Sequence, residues 1–205
     1  MATSPPRTPS SPNPGFNEGA AHVAAPSRFG APDLADCPAD IRAVIVFLAY
    51  AKRPEHFRAF MHYHDLLMKG DGGLTRAERE AIVVAVSAEN DCQYCVTAHG
   101  AALRILSKDP VAADQIAINW RTADLAPRLR TILEFASAVN QPGFSAGDER
   151  IAELRARGLS DDDIWDIAAI AAFFGFSNRM AGALDMRPNL EFYAMGRAGA
   201  ANANG

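Results

Sequence analysis

Apolar side chains recur in this sequence at three- and four-residue intervals over most of its length, the spacing that lines one face of an α-helix. Runs of this kind cover residues 38 to 51, 54 to 69, 75 to 89, 91 to 106, 110 to 119, 126 to 139, 148 to 157, 160 to 173 and 176 to 186. Pro38, Pro54 and Pro110 stand where helices begin, since a proline in the first turn gives up no helical hydrogen bond. Thr75, Asp91 and Ser160 carry side chains suited to accept the unpaired N–H groups of a first turn and are read as N-caps. No β-branched run alternates with polar residues long enough to predict a strand. The pattern predicts an all-α bundle.

At the ends the pattern disappears. Residues 1–28 are rich in Pro, Ser, Ala and Gly and nearly devoid of large apolar side chains. Such a stretch buries too little surface to offset the entropy of ordering. The closing GRAGAANANG reads the same way. The predicted organisation is one helical domain over residues 29–196 between two flexible tails, 1–28 and 197–205. Leu74-Thr75 and Leu159-Ser160, 85 residues apart, hint at an internal repeat. At that offset Glu80, Cys92, Cys95 and His99 align with Trp165, Ser177, Met180 and Leu184. A true repeat would have kept polar chemistry in one helix pair and turned its twin into core.

Composition adds mainly exclusions. With 205 residues, 49% hydrophobic and 21% charged, the chain has the makings of one well-buried core. Its 20 basic and 24 acidic residues give a net charge of -4 with no basic cluster, which argues against nucleic acid. No apolar run approaches the roughly 18 residues that span a bilayer, and the N-terminus lacks a secretory segment. The expected location is the cytoplasm. Three cysteines do not make a disulfide framework of the secreted kind.

Chemistry concentrates between residues 80 and 99. Asn90 and Asp91 favour a break, so a new helix is expected from Cys92. Its first turn holds both Cys92 and Cys95, where unpaired N–H groups and the positive end of the dipole favour a thiolate. A Cys-x-x-Cys arrangement at a helix N-terminus lowers the thiol's ordinary value of ~8.5. Cys95 lies three residues after Cys92 and His99 four after Cys95, so all three share a face. Glu80 sits on the preceding helix. At ~1.5 Å per residue, it and His99 lie about 15 Å and 13 Å along the two arms of an antiparallel hairpin, level with one another. Glu80 is thus placed to orient His99 and exchange a proton with it.

Competing readings bear on the same residues. Buried structural cysteines are the simplest, though a shared face with a histidine and an acid counts against them. A zinc site needs four ligands, with only Cys37 or Glu80 to complete the set. Haem attachment needs His directly after the second cysteine, where Val96 stands. A thioredoxin fold expects its cysteine pair after a strand, not a helix. His56, His62 and His64 share one helix, but 62 and 64 point to different faces and are read as surface or partner contacts. Trp165, Phe173, Phe174 and Phe176 are read as core or subunit interface, or as walls of the cysteine pocket. Cys37 stands apart before Pro38 and is read as structural.

The acid Glu80, the run Cys92-Gln-Tyr94-Cys95 and His99 four beyond the second cysteine resemble the alkylhydroperoxidase D signature of the carboxymuconolactone decarboxylase superfamily. The flanking text is also similar, from Arg53-Pro54 through Leu74-Thr75 and Glu78-Arg79-Glu80 to Phe176-Ser177-Asn178-Arg179, and the likeness is nearest to peroxidase-related members. The resemblance implies an all-helical fold, assembly as trimers or hexamers, and a cysteine pair cycling between dithiol and disulfide during peroxide reduction. Catalytic roles then fall on Cys92, Cys95, His99 and Glu80, with Tyr94 in support. No cofactor or metal is implied. An external dithiol, such as a thioredoxin-like or lipoyl protein, must reduce the disulfide.

Two considerations divide the cysteines. The spacing to His99 makes Cys95 the attacking thiolate and Cys92 the resolving thiol, whereas the helix dipole and exposure favour Cys92. The order stays open on these terms. Two other functions are set beside this one: a redox adaptor acting on a partner's disulfide, and action of the fold on a lactone, as in decarboxylase relatives, which would not need both cysteines.

Overall fold

Two capping boxes set the frame of the fold. The Thr75 hydroxyl accepts the Glu78 N–H at 3.1 Å while the Glu78 carboxylate accepts the Thr75 N–H at 2.8 Å. Ser160 and Asp163 repeat the arrangement, both bonds at 3.0 Å. Each reciprocal pair satisfies donors that a helix start leaves unpaired, so the helix entry is sharply defined. The computed structural model describes residues 53–197. Among these are eight helices and no strand: α1 Pro54–Lys69, α2 Arg76–Glu89, α3 Gln93–Ser107, α4 Pro110–Asn119, α5 Pro127–Val139, α6 Asp148–Ala156, α7 Asp161–Ala183 and α8 Glu191–Ala194.

Helix α2 is the centre of the bundle. Its run from Ala81 to Ser87 is buried on every side, the signature of a helix surrounded by others. It packs on α3, α4, α5 and α7. Ile82, Val83, Val84 and Val86 meet Ile116 of α4, Ile132 and Leu133 of α5, and Ile167, Ile170 and Phe174 of α7. Arg79, only 1% exposed, ties the entry of α2 to its surroundings. It donates to the carbonyls of Leu67 at 2.6 Å and Leu74 at 3.3 Å and pairs with Asp166 at 2.7 Å. Gly72 permits this approach, because a Cβ there would lie 2.7 Å from the Arg79 guanidinium.

Several sequence expectations change. The runs 160–173 and 176–186 are one continuous helix, α7. Gly175 costs such a helix about 1 kcal/mol, but burying Phe173 and Phe174, whose rings stand edge-on 5.3 Å apart, stabilises it by more. The internal repeat fails for the same reason, since α7 runs unbroken through Ser177 where its counterpart breaks at Cys92. Trp165, assigned to the core half of that repeat, is 73% exposed. Asp91 is not an N-cap; it takes a left-handed conformation with φ 54° in the joint before α3. Arg197, placed at the start of the C-terminal tail, pairs with Asp114 through two bonds of 2.7 and 2.9 Å. The tail 1–28, the 38–51 helix and Cys37 lie outside the described residues. Among the described residues, no helix is long and apolar enough to cross a membrane.

Candidate active site

The joint between α2 and α3 puts the cysteines at the heart of the fold. Asn90 closes α2, and Asp91 adopts the left-handed turn that Asn and Asp tolerate better than other side chains. The chain then folds back so that the Cys92 N–H donates to the Ser87 carbonyl at 2.9 Å. Cys92 itself becomes the N-cap of α3, its Sγ accepting the Cys95 N–H at 3.3 Å. Cys92 is 6% exposed and Cys95 2%. With Tyr94 and Ala181 they form a small buried cluster, closed by Ala98 and Met186. Tyr94 thus packs the cysteine turn against the end of α7.

Electrostatics separates the two thiols. The hydrogen bond from the Cys95 thiol is the main influence lowering Cys92, to about 7 from an ordinary 9.0. Burial opposes this, while the Cys95 N–H, the Asn178 amide and the charge of His99 add to it. Cys95 is raised, because it is the donor of that thiol bond and is buried. Cys92 lines open space. It borders a cleft of about 490 Å³ walled by Val96, Ile116, Ala117 and Trp120, and a smaller one of about 170 Å³ against Met186 and Arg187.

Glu80 and His99 meet across the α2–α3 hairpin, with His99 Nδ1 2.7 Å from Glu80 Oε2 and both side chains largely buried. When Nδ1 donates to the carboxylate, Nε2 is the nitrogen left to take a proton. The ring of His99 stands edge-on to Phe174 at 4.7 Å between centroids. His64 joins this group, contrary to its reading as a surface residue, while His56 and His62 are exposed. Its ring lies 6.0 Å from that of His99 and 6.1 Å from Phe174, and burial lowers its pKa against the opposing hydrogen bond to Asp65. Among the described residues, no cluster of three or more His, Cys, Asp or Glu is arranged to hold a metal ion.

Asn178 on α7 is the residue that sequence reasoning left without a role. It is buried, donates to Ser87 Oγ at 2.9 Å, and its amide favours the ionised form of either cysteine. The one carboxamide of α7, after the apolar run from Ile167 to Phe176, was the available signal. Glu78, two residues from Glu80, turns to other partners: it belongs to the Thr75 capping box and pairs with Arg128 at 3.0 Å.

The sequence profile of the carboxymuconolactone decarboxylase family matches residues 54–138. No curated protein matches the chain significantly. Among solved structures, an alkylhydroperoxidase AhpD core, a peroxidase-related protein from Ralstonia eutropha JMP134, is 52% identical with a TM-score of 0.80. The match covers 84% of this chain and 97% of that one. A peroxidase-related protein from Silicibacter sp. TM1040 is 35% identical with a TM-score of 0.76, over 86% of this chain and 100% of that one. The debrominase Bmp8 shares the fold at 24% identity and a TM-score of 0.61, over 85% of this chain and 95% of that one.

Proposed function

The chain belongs to the carboxymuconolactone decarboxylase family, in its alkylhydroperoxidase D-like branch, and from that premise we propose that it is a thiol peroxidase working through Cys92 and Cys95. The observation that carries this reading is the dithiol turn held beside the Glu80–His99 pair. A dithiol supplies two electrons, and the imidazole moves the protons that peroxide cleavage requires.

The proposed steps use the side chains of this site. His99 takes the proton of Cys92, whose thiolate is favoured by the donors around its sulfur. This order reverses the one suggested by the spacing of His99 from Cys95, because Cys95 is buried and retains its proton. The thiolate attacks the terminal oxygen of a hydroperoxide, the O–O bond breaks, and His99 protonates the departing alkoxide. Cys92 is left as a sulfenic acid. Cys95 attacks its sulfur, water leaves with the Cys95 proton, and the disulfide forms. An external dithiol, thioredoxin-like or lipoyl, then reduces that disulfide by exchange. A reducing compartment such as the cytoplasm supplies donors of this kind.

A redox adaptor is the second reading, favoured by the cleft beside Cys92, which leaves room for another protein's disulfide. A lactone substrate, by contrast, would leave one cysteine without a task. Steady-state turnover of hydrogen peroxide, an organic hydroperoxide and a protein disulfide, each with several dithiol donors, separates these functions. Peroxide turnover with loss of two titratable thiols per equivalent is expected. Disulfide exchange that far outpaces peroxide reduction would make the protein an adaptor.

A further inference from the structure

Around the cysteine turn runs a chain of side-chain amides that the dithiol mechanism leaves unused. It begins at Glu89, the last residue of α2. Burial opposes ionisation of Glu89, but bonds from Trp120 at 3.0 Å, Ser137 at 2.7 Å and Asn140 at 3.3 Å, with Arg121 at 2.9 Å, hold its carboxyl below the usual carboxylate range. A carboxylate only accepts hydrogen bonds. The amide nitrogen of Asn140 therefore faces Glu89, and its oxygen accepts from Asn90 Nδ2 at 2.9 Å.

The same Asn90 nitrogen donates to Asn178 Oδ1 at 2.9 Å. With its oxygen committed, Asn178 has only its NH₂ end for the remaining partners. One of these is Ser87 Oγ at 2.9 Å. Ala181, three residues on and on the same face of the helix, packs against both cysteines, so the NH₂ end of Asn178 is on the side of the two sulfurs. A carboxamide is nearly symmetric in shape, so without such a chain either end could face the cysteines. Here the donor end is imposed from a carboxylate three residues away in the network.

We infer that Asn178 is a further catalytic residue, whose amide donates to the sulfur of the reacting thiolate and whose orientation is set by the chain Glu89–Asn140–Asn90. The inference rests on the dithiol reading above and adds what stabilises the thiolate in a buried site. A hydrogen bond to an ionised group is about twice as strong as one between neutral groups. Asn178 therefore offsets part of the desolvation that burial imposes on the sulfur, alongside the Cys95 thiol and N–H. Its donor serves whichever sulfur carries the charge, before attack and again when the disulfide is reduced.

The test uses no peroxide, so its outcome is independent of whether the protein turns peroxide over. Thiolate ultraviolet absorbance is titrated in the reduced full-length chain and in Asn178→Ala and Asn178→Asp. The first thiol pKa should rise by about 1 to 2 pH units in Asn178→Ala, the span of one hydrogen bond to a charged group, and further in Asn178→Asp. Alkylation by iodoacetamide at neutral pH should slow roughly 5- to 50-fold, as the thiolate fraction falls with that rise from about 7, with circular dichroism unchanged. Should both variants misfold, the wild type still decides the matter: the Asn178 side-chain amide resonances should move as the thiol titrates. A first thiol pKa unchanged in a folded variant, or amide resonances indifferent to thiolate formation, would overturn the inference.

Discussion

At the scale of single residues, the site is a contrast between acids two positions apart on α2. Glu80 faces His99 at 2.7 Å, while Glu78 caps the helix and pairs with Arg128. Glu80→Gln should lower peroxide turnover by roughly 10²-fold, the scale of a lost acid-base group, with little change in melting temperature. His99→Gln should match it, and the double variant should be scarcely slower than either alone, since members of one relay are not additive. Glu78→Ala should do the reverse, keeping turnover while lowering stability by about 1 kcal/mol through the broken cap. Multiplicative losses in the double variant would show that Glu80 and His99 act separately. The thiols offer a second check. With Cys92 lowered to about 7, its reactive form accumulates as pH rises through that value. The alkylation rate of the reduced protein should therefore fall away below neutrality, and a midpoint near 9 would contradict the lowered thiol.

At the scale of elements, the functional unit is the joint between α2 and α3, where a reactive residue also caps a helix. The Cys92 sulfur is the acceptor for the Cys95 N–H. A serine hydroxyl caps at least as well as a thiol, whereas alanine cannot cap at all. Under reducing conditions Cys92→Ser should melt close to the wild type, and Cys92→Ala should be less stable by about 0.5 to 1 kcal/mol, although neither can form the disulfide. Equal melting of the two variants would mean that the 3.3 Å contact adds nothing. The helix starts at Thr75 and Ser160 were readable because a cap depends on a side chain within one turn of the N–H groups it accepts, while the return bonds from Glu78 and Asp163 came with the structure. The unbroken course of α7 was not readable. Glycine weakens a helix locally, and the compensating burial of Phe173 and Phe174 comes from other elements.

At the scale of the molecule, apolar surface remains. Tyr63, Leu66 and Phe176 are exposed on the faces of α1 and α7, with Phe176 52% accessible. Phe176 lies 6.3 Å from Phe60, continuous with the packed rings beneath. Aromatic surface joined to the core in this way is a candidate contact between copies, in keeping with the trimers or hexamers of the resemblance. Sedimentation at micromolar concentration should show a species heavier than the 21.9 kDa chain, and Phe176→Glu should shift it toward that mass. A wild-type monomer would remove this reading of the face.

What the sequence alone determined is what depends on neighbours along the chain. Helical periodicity, the caps Thr75 and Ser160 and the spacing of Cys92, Cys95 and His99 are local, and even the meeting of Glu80 with His99 follows from a short hairpin of known rise. Tertiary structure decided the rest. It set the difference between the thiols, which comes from burial and from donors on other elements. It drew His64 from α1 and Asn178 from α7 into the site. It made Arg79 and Glu78 structural through partners as distant as Asp166 and Arg128. Such contacts join residues dozens of positions apart, and which side chains meet is decided only when the helices pack.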